Sequence, residues 1–479
     1  MSRLRPVVPR ALRTVARLLP ALLLILALAP ARVPAQTAPQ AAPRRPFGTL
    51  REQAAIQQRW LEQRLKTVLP ALMRKHGVDA WVIPMREYNE DPTFSSLVAP
   101  TTFAARRRTI YLFFDRCAAS GRTDPGDGSC VERIAFGGTS QGGLYDARTA
   151  MKTVDAAVGG RQAELWGDEQ WQVLTAALRE RDPKVIAINT SRTFAFTDGL
   201  SSGERDGMTE AVGPALAARF RPAEALALDL IATRLPEEVA FYGKLQALVW
   251  ELSQRMFSNA VVRPGVTRTS DLVWWWRQQV NDLGLGTWFQ PSIEVQRRGV
   301  ADLGEDPIIQ RGDVLHSDVG ITALGLNTDT QHMAYVLRPG ETEAPPGLAA
   351  ALRNANRMQD IQMEEIRPGK TGNQVLAASR ARMAAAGIDG TFYSHPIGKH
   401  GHGSGPIIGL WDYQDGVPGR GDAVIIPNMW YSIELQATTP VPEWGGQKVR
   451  MAQEEDMVMG ADGIPRWAIR RQDRLFLVR

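Results

Sequence analysis

The chain has 479 residues, 44% of them apolar and 22% charged, with 43 Gly and 31 Pro; this composition excludes a fibrous or disordered protein and leaves room for two globular domains. A formal charge of +5 invites a nucleic-acid partner, but six arginines (Arg3, Arg5, Arg10, Arg13, Arg17 and Arg32) and no acid fall in the first 35 residues, and without them the balance is −1. So neutral a chain lacks the basic footprint of a phosphate-backbone binder, and no nucleic-acid partner is expected.

Residues 1–35 have the form of an export signal: a basic start, an apolar run from Leu18 to Ala31, and small residues before a cut after Ala35. The run falls short of the ~20 residues that span a bilayer, so the expectation is an exported, periplasmic or secreted protein with no stable membrane span after cleavage. A Pro/Ala/Gln linker, 36–46, leads to an amphipathic helix over Arg51–His76, which Gly77 should stop. Apolar strands are predicted near Asp79–Pro84, Thr109–Phe114, Glu132–Phe136 and Lys184–Asn189, with a helix from about Asp168 to Arg181 before the last. Cys117 and Cys130, the only cysteines, bracket a Gly/Pro/Asp loop between two of these strands. In an exported chain the expectation for such a pair is a disulfide. Alternating helices and strands indicate an N-terminal α/β domain over 47–225.

A second domain, 226–479, opens with Pro236-Glu237-Glu238, where proline suits the first helical turn. Val239, Tyr242, Leu245, Val249, Leu252 and Met256 then recur at helical spacing, which predicts a long core-facing helix. The triplet Trp274-Trp275-Trp276 falls in the next helix and should pack against two elements. Val262-Arg263-Pro264-Gly265-Val266-Thr267 and Ile366-Arg367-Pro368-Gly369-Lys370-Thr371 read as one corner used twice, each followed by a helix ending at a glycine, Gly284 or Gly387. That repetition points to a duplicated helix-helix-sheet unit with a functional centre where the halves meet.

Three features carry chemistry. Asp318 and Asp329 lie in strand-like segments around Gly325, and a hairpin would put the two carboxylates side by side, where repulsion demands a proton, a base or a cation. His395, His400 and His402 are three of only six histidines in the chain, gathered in eight positions among glycines. Glu434 and Glu454 each sit in an apolar strand. Such a set of oxygen and imidazole donors suits a pair of divalent ions, Mn²⁺, Co²⁺ or Zn²⁺, rather than a thiolate site.

The order Asp318, Asp329, a His-Gly-x-Gly segment, Ser432-Ile433-Glu434 and Glu454-Glu455 resembles the M24 metallopeptidase family of aminopeptidase P, prolidase and methionine aminopeptidase, with creatinase as a non-metal relative. Arg74-Lys75-His76-Gly77-Val78-Asp79-Ala80 is similar to the domain that precedes the catalytic one in the aminopeptidase P and prolidase branches. The resemblance implies a pita-bread fold of duplicated halves and two divalent metal ions. Asp318 would bind one ion, Asp329 and Glu454 both, and His402, with His400 as the alternative, and Glu434 the second. A metal-bound hydroxide would attack a peptide or small amide bond. Among the catalytic candidates, Glu434 would accept a proton, His395 would bond the oxyanion or leaving group, and His400, where it is not the ligand, would line the pocket.

Three departures from the family stand out: only His316 lies between Val295 and Asp318, where a histidine some seventeen residues before the first Asp is usual; Gly409 and Asp412 fill the region where a histidine commonly follows the ligand histidine; and His332 replaces an arginine. The expected function is an Xaa-Pro aminopeptidase- or dipeptidase-type hydrolase. A creatinase-like C–N hydrolase and a non-catalytic peptide binder are the alternatives, and the oligomeric state, monomer or homodimer, stays open.

Overall fold

The computed structural model describes residues 45–148 and 169–479, and residues 44–479 make one compact unit. The expected export signal, nearly all of the linker and Asp168 lie outside the described residues. Among the described residues no helix is long and apolar enough to cross a membrane.

The first predicted helix is three pieces in line: Leu50–Gln63, a wide π-type turn over Arg64–Val68, and Leu69–Lys75. Pro70 explains the break, because it cannot donate to the carbonyl four residues back and its ring crowds that carbonyl. A six-stranded sheet follows, built from β1 (Ala80–Arg86), β2 (Arg108–Asp115), β3 (Val131–Phe136), β4 (Asp146–Arg148), β5 (Ile186–Ile188) and β6 (Phe220–Pro222), in the order β4-β3-β2-β1-β5-β6. β4 and β6 went unforeseen: each has three residues, none of them buried, and so shows no apolar run. Cys117 and Cys130 are joined as a disulfide between the ends of β2 and β3.

The helix Pro236–Met256 buries Tyr242, Leu245, Val249, Leu252 and Met256 as the spacing required. Of the tryptophan triplet only Trp276 is fully buried, Trp275 is partly so, and Trp274 is exposed. Steps of about 100° allow a helix with one packed face to bury one residue of three consecutive ones.

The second sheet explains the repeated corner. Its strands are β7 (Ser292–Gln296), β8 (Val314–Val319), β11 (Thr330–Val336), β12 (Asp389–Phe392), β13 (His395–Pro396), β14 (Tyr431–Val441), β15 (Gln447–Met459), β16 (Pro465–Trp467) and β17 (Phe476–Val478); the short pair β9 (Thr322–Ala323) and β10 (Leu326–Asn327) forms the tip of the β8–β11 hairpin. The main path β12-β14-β15-β11-β8-β7 reads symmetrically from its centre. Helices Pro236–Met256 and Thr269–Asp282 precede β7, β8 and β11; helices Pro346–Glu365 and Gly372–Ala385 precede β12, β14 and β15. Each half has its own apolar core, and the halves join where β11 pairs with β15. At the hairpin tip Leu324 and Gly325 both have positive φ, +50° and +72°, as a tight two-residue turn between twisted strands demands.

Candidate metal centre

Strand register lines up the acids. Asp318 on β8 pairs with Gln331 on β11, Gln331 with Glu454 on β15, and Glu454 with Glu434 on β14, one continuous row across four strands. Asp329 precedes Gln331 by two positions and so shares its face. Asp318, Asp329 and Glu454 each bring one oxygen into a group whose atoms lie within 4.8 Å of one another, and His395, Glu434 and Glu454 form a second such group. The convergence sought from the sequence is present at the seam between the duplicated halves.

The histidines are sorted differently from the expectation. His395, on β13, pairs with Ser432 and points Nε2 at the acids, 3.4 Å from Glu454, 3.6 Å from Asp329 and 3.7 Å from Glu434. Its Nδ1 lies 3.0 Å from the carbonyl of Pro396. A proton on Nδ1 therefore leaves the Nε2 lone pair facing the carboxylates, the arrangement of a ligating imidazole. His402, expected as the ligand, stands beside His395 at a ring separation of 4.7 Å and shares a donor group with Asp329 and His395, but not one with Glu434 or Glu454. His400, the alternative, is turned away: its ring packs 4.7 Å from Phe196, and no group of candidate ligands includes it. His402 lies seven residues after His395.

Glu454 rather than its neighbour faces the row because adjacent strand residues point to opposite sides. Glu455 is bonded instead by Trp250 Nε1 at 3.2 Å and the Gln472 amide at 2.9 Å, with His332 Nε2 at 3.1 Å. His332 thus supplies a polar partner to Glu455 inside the first half's core. His316 lies between Glu294, 3.1 Å from Nδ1, and the Gln331 side-chain oxygen Oε1, 2.9 Å from Nε2.

Gln331 was missed by sequence reasoning. Its amide donates to Glu434 at 2.5 Å and to Glu454 at 2.9 Å, while Ser432 donates to Glu454 at 2.5 Å. The available signal was its place two residues after Asp329, on the same strand face.

The electrostatics call for cations. Among the described residues no lysine or arginine pairs with Asp318, Asp329, Glu434 or Glu454; His395 is their only ionic partner. Asp318 Oδ1, Asp329 Oδ1 and His395 Nε2 are buried without a hydrogen-bond partner. Burial, then the charge of Glu454, pushes Asp318 up to about 8 and holds Asp329 and Glu434 well above the usual carboxylate range. Burial disfavours the charged form of His395, but the closeness of Glu454 and the charges of Glu454 and Glu434 outweigh it and raise the imidazole to about 9. Unmatched buried acids around an imidazole lone pair fit divalent ions.

The signs of these shifts predict a pH effect. Raised acids stabilise the fold below their ordinary value of 3.8, and that contribution is lost as pH climbs towards about 8; raised His395 stabilises below 6.5 and loses it towards about 9. Chelated protein should therefore weaken as pH rises, whereas bound metal replaces the protons. In thermal melts the gap between Mn²⁺-loaded and chelated protein should widen from about pH 5.5 to about 8.5; a constant or narrowing gap would contradict this electrostatic account.

A cavity of about 490 Å³ adjoins the row, lined among others by Tyr393, His395, His402, Trp411, Arg420 and Arg450.

The model of metallopeptidase family M24 matches residues 248–460, the stretch that carries the row. The matched segment contains every member of the three donor groups that include acids of the row. The chain is 30% identical over 155 residues to the probable dipeptidase PepE of Mycobacterium tuberculosis, a match spanning 32% of this chain and only 36% of PepE. The X-Pro aminopeptidase of Thermotoga maritima has a similar structure, with a TM-score of 0.55 at 16% identity over 85% of this chain and all of that one. The N-terminal domain of the FACT complex subunit SPT16 from chickpea is as similar, with a TM-score of 0.54 at 11% identity, covering 88% of this chain and 99% of that one. These likenesses establish the pita-bread fold with its preceding α/β domain. A fold shared with a FACT subunit does not by itself fix the function, which depends on the side chains of the site.

Proposed function

We propose that the chain is an exported peptidase that cleaves dipeptides and short peptides of the Xaa-Pro type with two divalent ions held by Asp318, Asp329, His395, Glu434 and Glu454. The observation that carries this reading is the row of carboxylates with orphaned oxygens facing the free Nε2 of His395. In this reading His395 takes the place of His402 as the imidazole ligand, and His402 serves in the pocket as a proton or hydrogen-bond partner. Ions bound there would polarise a substrate carbonyl and lower the pKa of a coordinated water. Gln331 and Ser432 hold Glu434 and Glu454 in place, and Glu434, facing the cavity, can accept a proton from the attacking water. Export is supported by the form of residues 1–35 and by the Cys117–Cys130 disulfide, which suits an oxidising compartment.

Arg420 favours small substrates with a free carboxylate. It lines the cavity half-buried and, among the described residues, pairs with no acid. Burial alone lowers its pKa, so an incoming carboxylate would meet an unopposed guanidinium. Mn²⁺-loaded protein should hydrolyse dipeptides, X-Pro among them, better than their C-terminal amides. Arg420→Ala should raise KM for the free acids by about tenfold or more. Equal rates on acids and amides, or an unchanged KM in the variant, would contradict this assignment.

A further inference from the structure

A second cavity, of about 320 Å³, sits beside buried positive charge. Arg64 bonds both oxygens of Glu238 at 2.9 and 3.0 Å. Arg234, only 3% exposed, donates to the carbonyls of Ile231 and Ile397, leaves Nε without a partner, and lies over the Trp430 ring. Lys399 reaches Glu238 only at 3.9 Å, too far for a hydrogen bond. Three cations thus share one anion that already accepts hydrogen bonds from Arg64 and the Leu235 amide. Lys399, its side chain 11% exposed, lines the cavity. So does Ser96, 2% exposed, whose buried hydroxyl has no hydrogen-bond partner. Trp60 and Phe94 supply a buried aromatic wall, and Phe103, 92% exposed, an outer aromatic edge.

We propose that this cavity binds a small organic carboxylate, its anionic end on Lys399 Nζ and Ser96 Oγ and its apolar body against Trp60, Phe94 and Phe103. The volume lies at the lower end of the range for small-ligand sites, ~300–1,000 Å³, and a few polar groups set in an apolar lining are typical of them. A monoanion with a hydrocarbon body matches that wall, whereas a strongly hydrated dianion would lose more on entering it. Burial, only partly offset by Glu238, draws Lys399 down to about 8, the condition of an ammonium that gains from a second anion. The site shares no lining residue with the cavity at the carboxylate row and stands independently of the metal reading. It does touch the same loops: Gly325 turns the hairpin between Asp318 and Asp329, and the Asn327 amide donates to the carbonyls of Gly398 and Lys399. An occupant would brace both segments that lead into the row.

Isothermal titration of the full chain with phenylacetate and, in parallel, inorganic phosphate tests the proposal. Phenylacetate should bind saturably, and Lys399→Met should weaken it about tenfold or more, Ser96→Ala by less. Binding should persist in Asp329→Ala. No saturable phenylacetate binding, or a Kd unchanged in Lys399→Met, overturns the site. Loss in Asp329→Ala with retention in Lys399→Met would place the ligand at the carboxylate row and also overturns it. Saturable phosphate binding lost in Lys399→Met, without phenylacetate binding, would replace the organic carboxylate by an inorganic oxyanion and overturn the assigned class. Should Lys399→Met not fold, Ser96→Ala decides, and an unchanged phenylacetate Kd in it overturns the proposal.

Discussion

An Asp329→Ala chain is expected to retain no metal and to show no measurable peptide hydrolysis, yet to melt no earlier than the parent protein when both are chelated. Asp329 belongs to both acid-containing groups that include Asp318 or His402, so its removal strips donors from each side of the site. The loss should exceed the roughly 10–100-fold in affinity that outer-shell substitutions cost. Without metal, however, Asp329 is a liability: it is 4% exposed, and burial, Glu454 and Asp318 all disfavour its charge. Alanine removes that repulsion, which separates loss of chemistry from loss of fold. Metal content by mass spectrometry, turnover and a melt in chelator check the three parts. Turnover near the parent level would remove Asp329 from the site.

The three clustered histidines should separate just as sharply. His395→Ala is expected to lower metal affinity by more than about a hundredfold, because the only imidazole nitrogen shared with Glu434 and Glu454 disappears. His402→Ala should keep the metal and lose kcat by about 10²-fold or more, the usual size of a general acid–base contribution. His400→Ala, behind Phe196, should change neither by more than a few-fold. Dialysis against buffered Mn²⁺ and steady-state kinetics on one dipeptide distinguish them. Metal loss in His402→Ala with retention in His395→Ala would restore the assignment drawn from the sequence.

That assignment shows where the sequence stops being legible. Asp318, Asp329, Glu434 and Glu454 could be singled out in advance because a charged residue inside an apolar strand is costly without a partner, whereas the choice of Glu454 over Glu455 rested on the M24 resemblance. The duplicated corner likewise announced the symmetric sheet order. The histidines sit among glycines, in a segment with no periodicity to fix which ring points where; only the pairing of His395 with Ser432 decides it. Gln331 escaped because a neutral amide in a strand carries no cost visible from one sequence. Its role comes from three strands meeting, as does the surplus charge of Arg64, Arg234 and Lys399, drawn from positions over 300 residues apart. The π-type turn at Arg64 was readable from Pro70, whereas β4 and β6 have no apolar pattern to read.

Anomalous scattering from a crystal of the protein grown with Mn²⁺ tests the central claim most directly. The account predicts two peaks among the side chains of Asp318, Asp329, His395, Glu434 and Glu454. A Mn²⁺-saturated crystal with no peak within ligand distance of those atoms would contradict it.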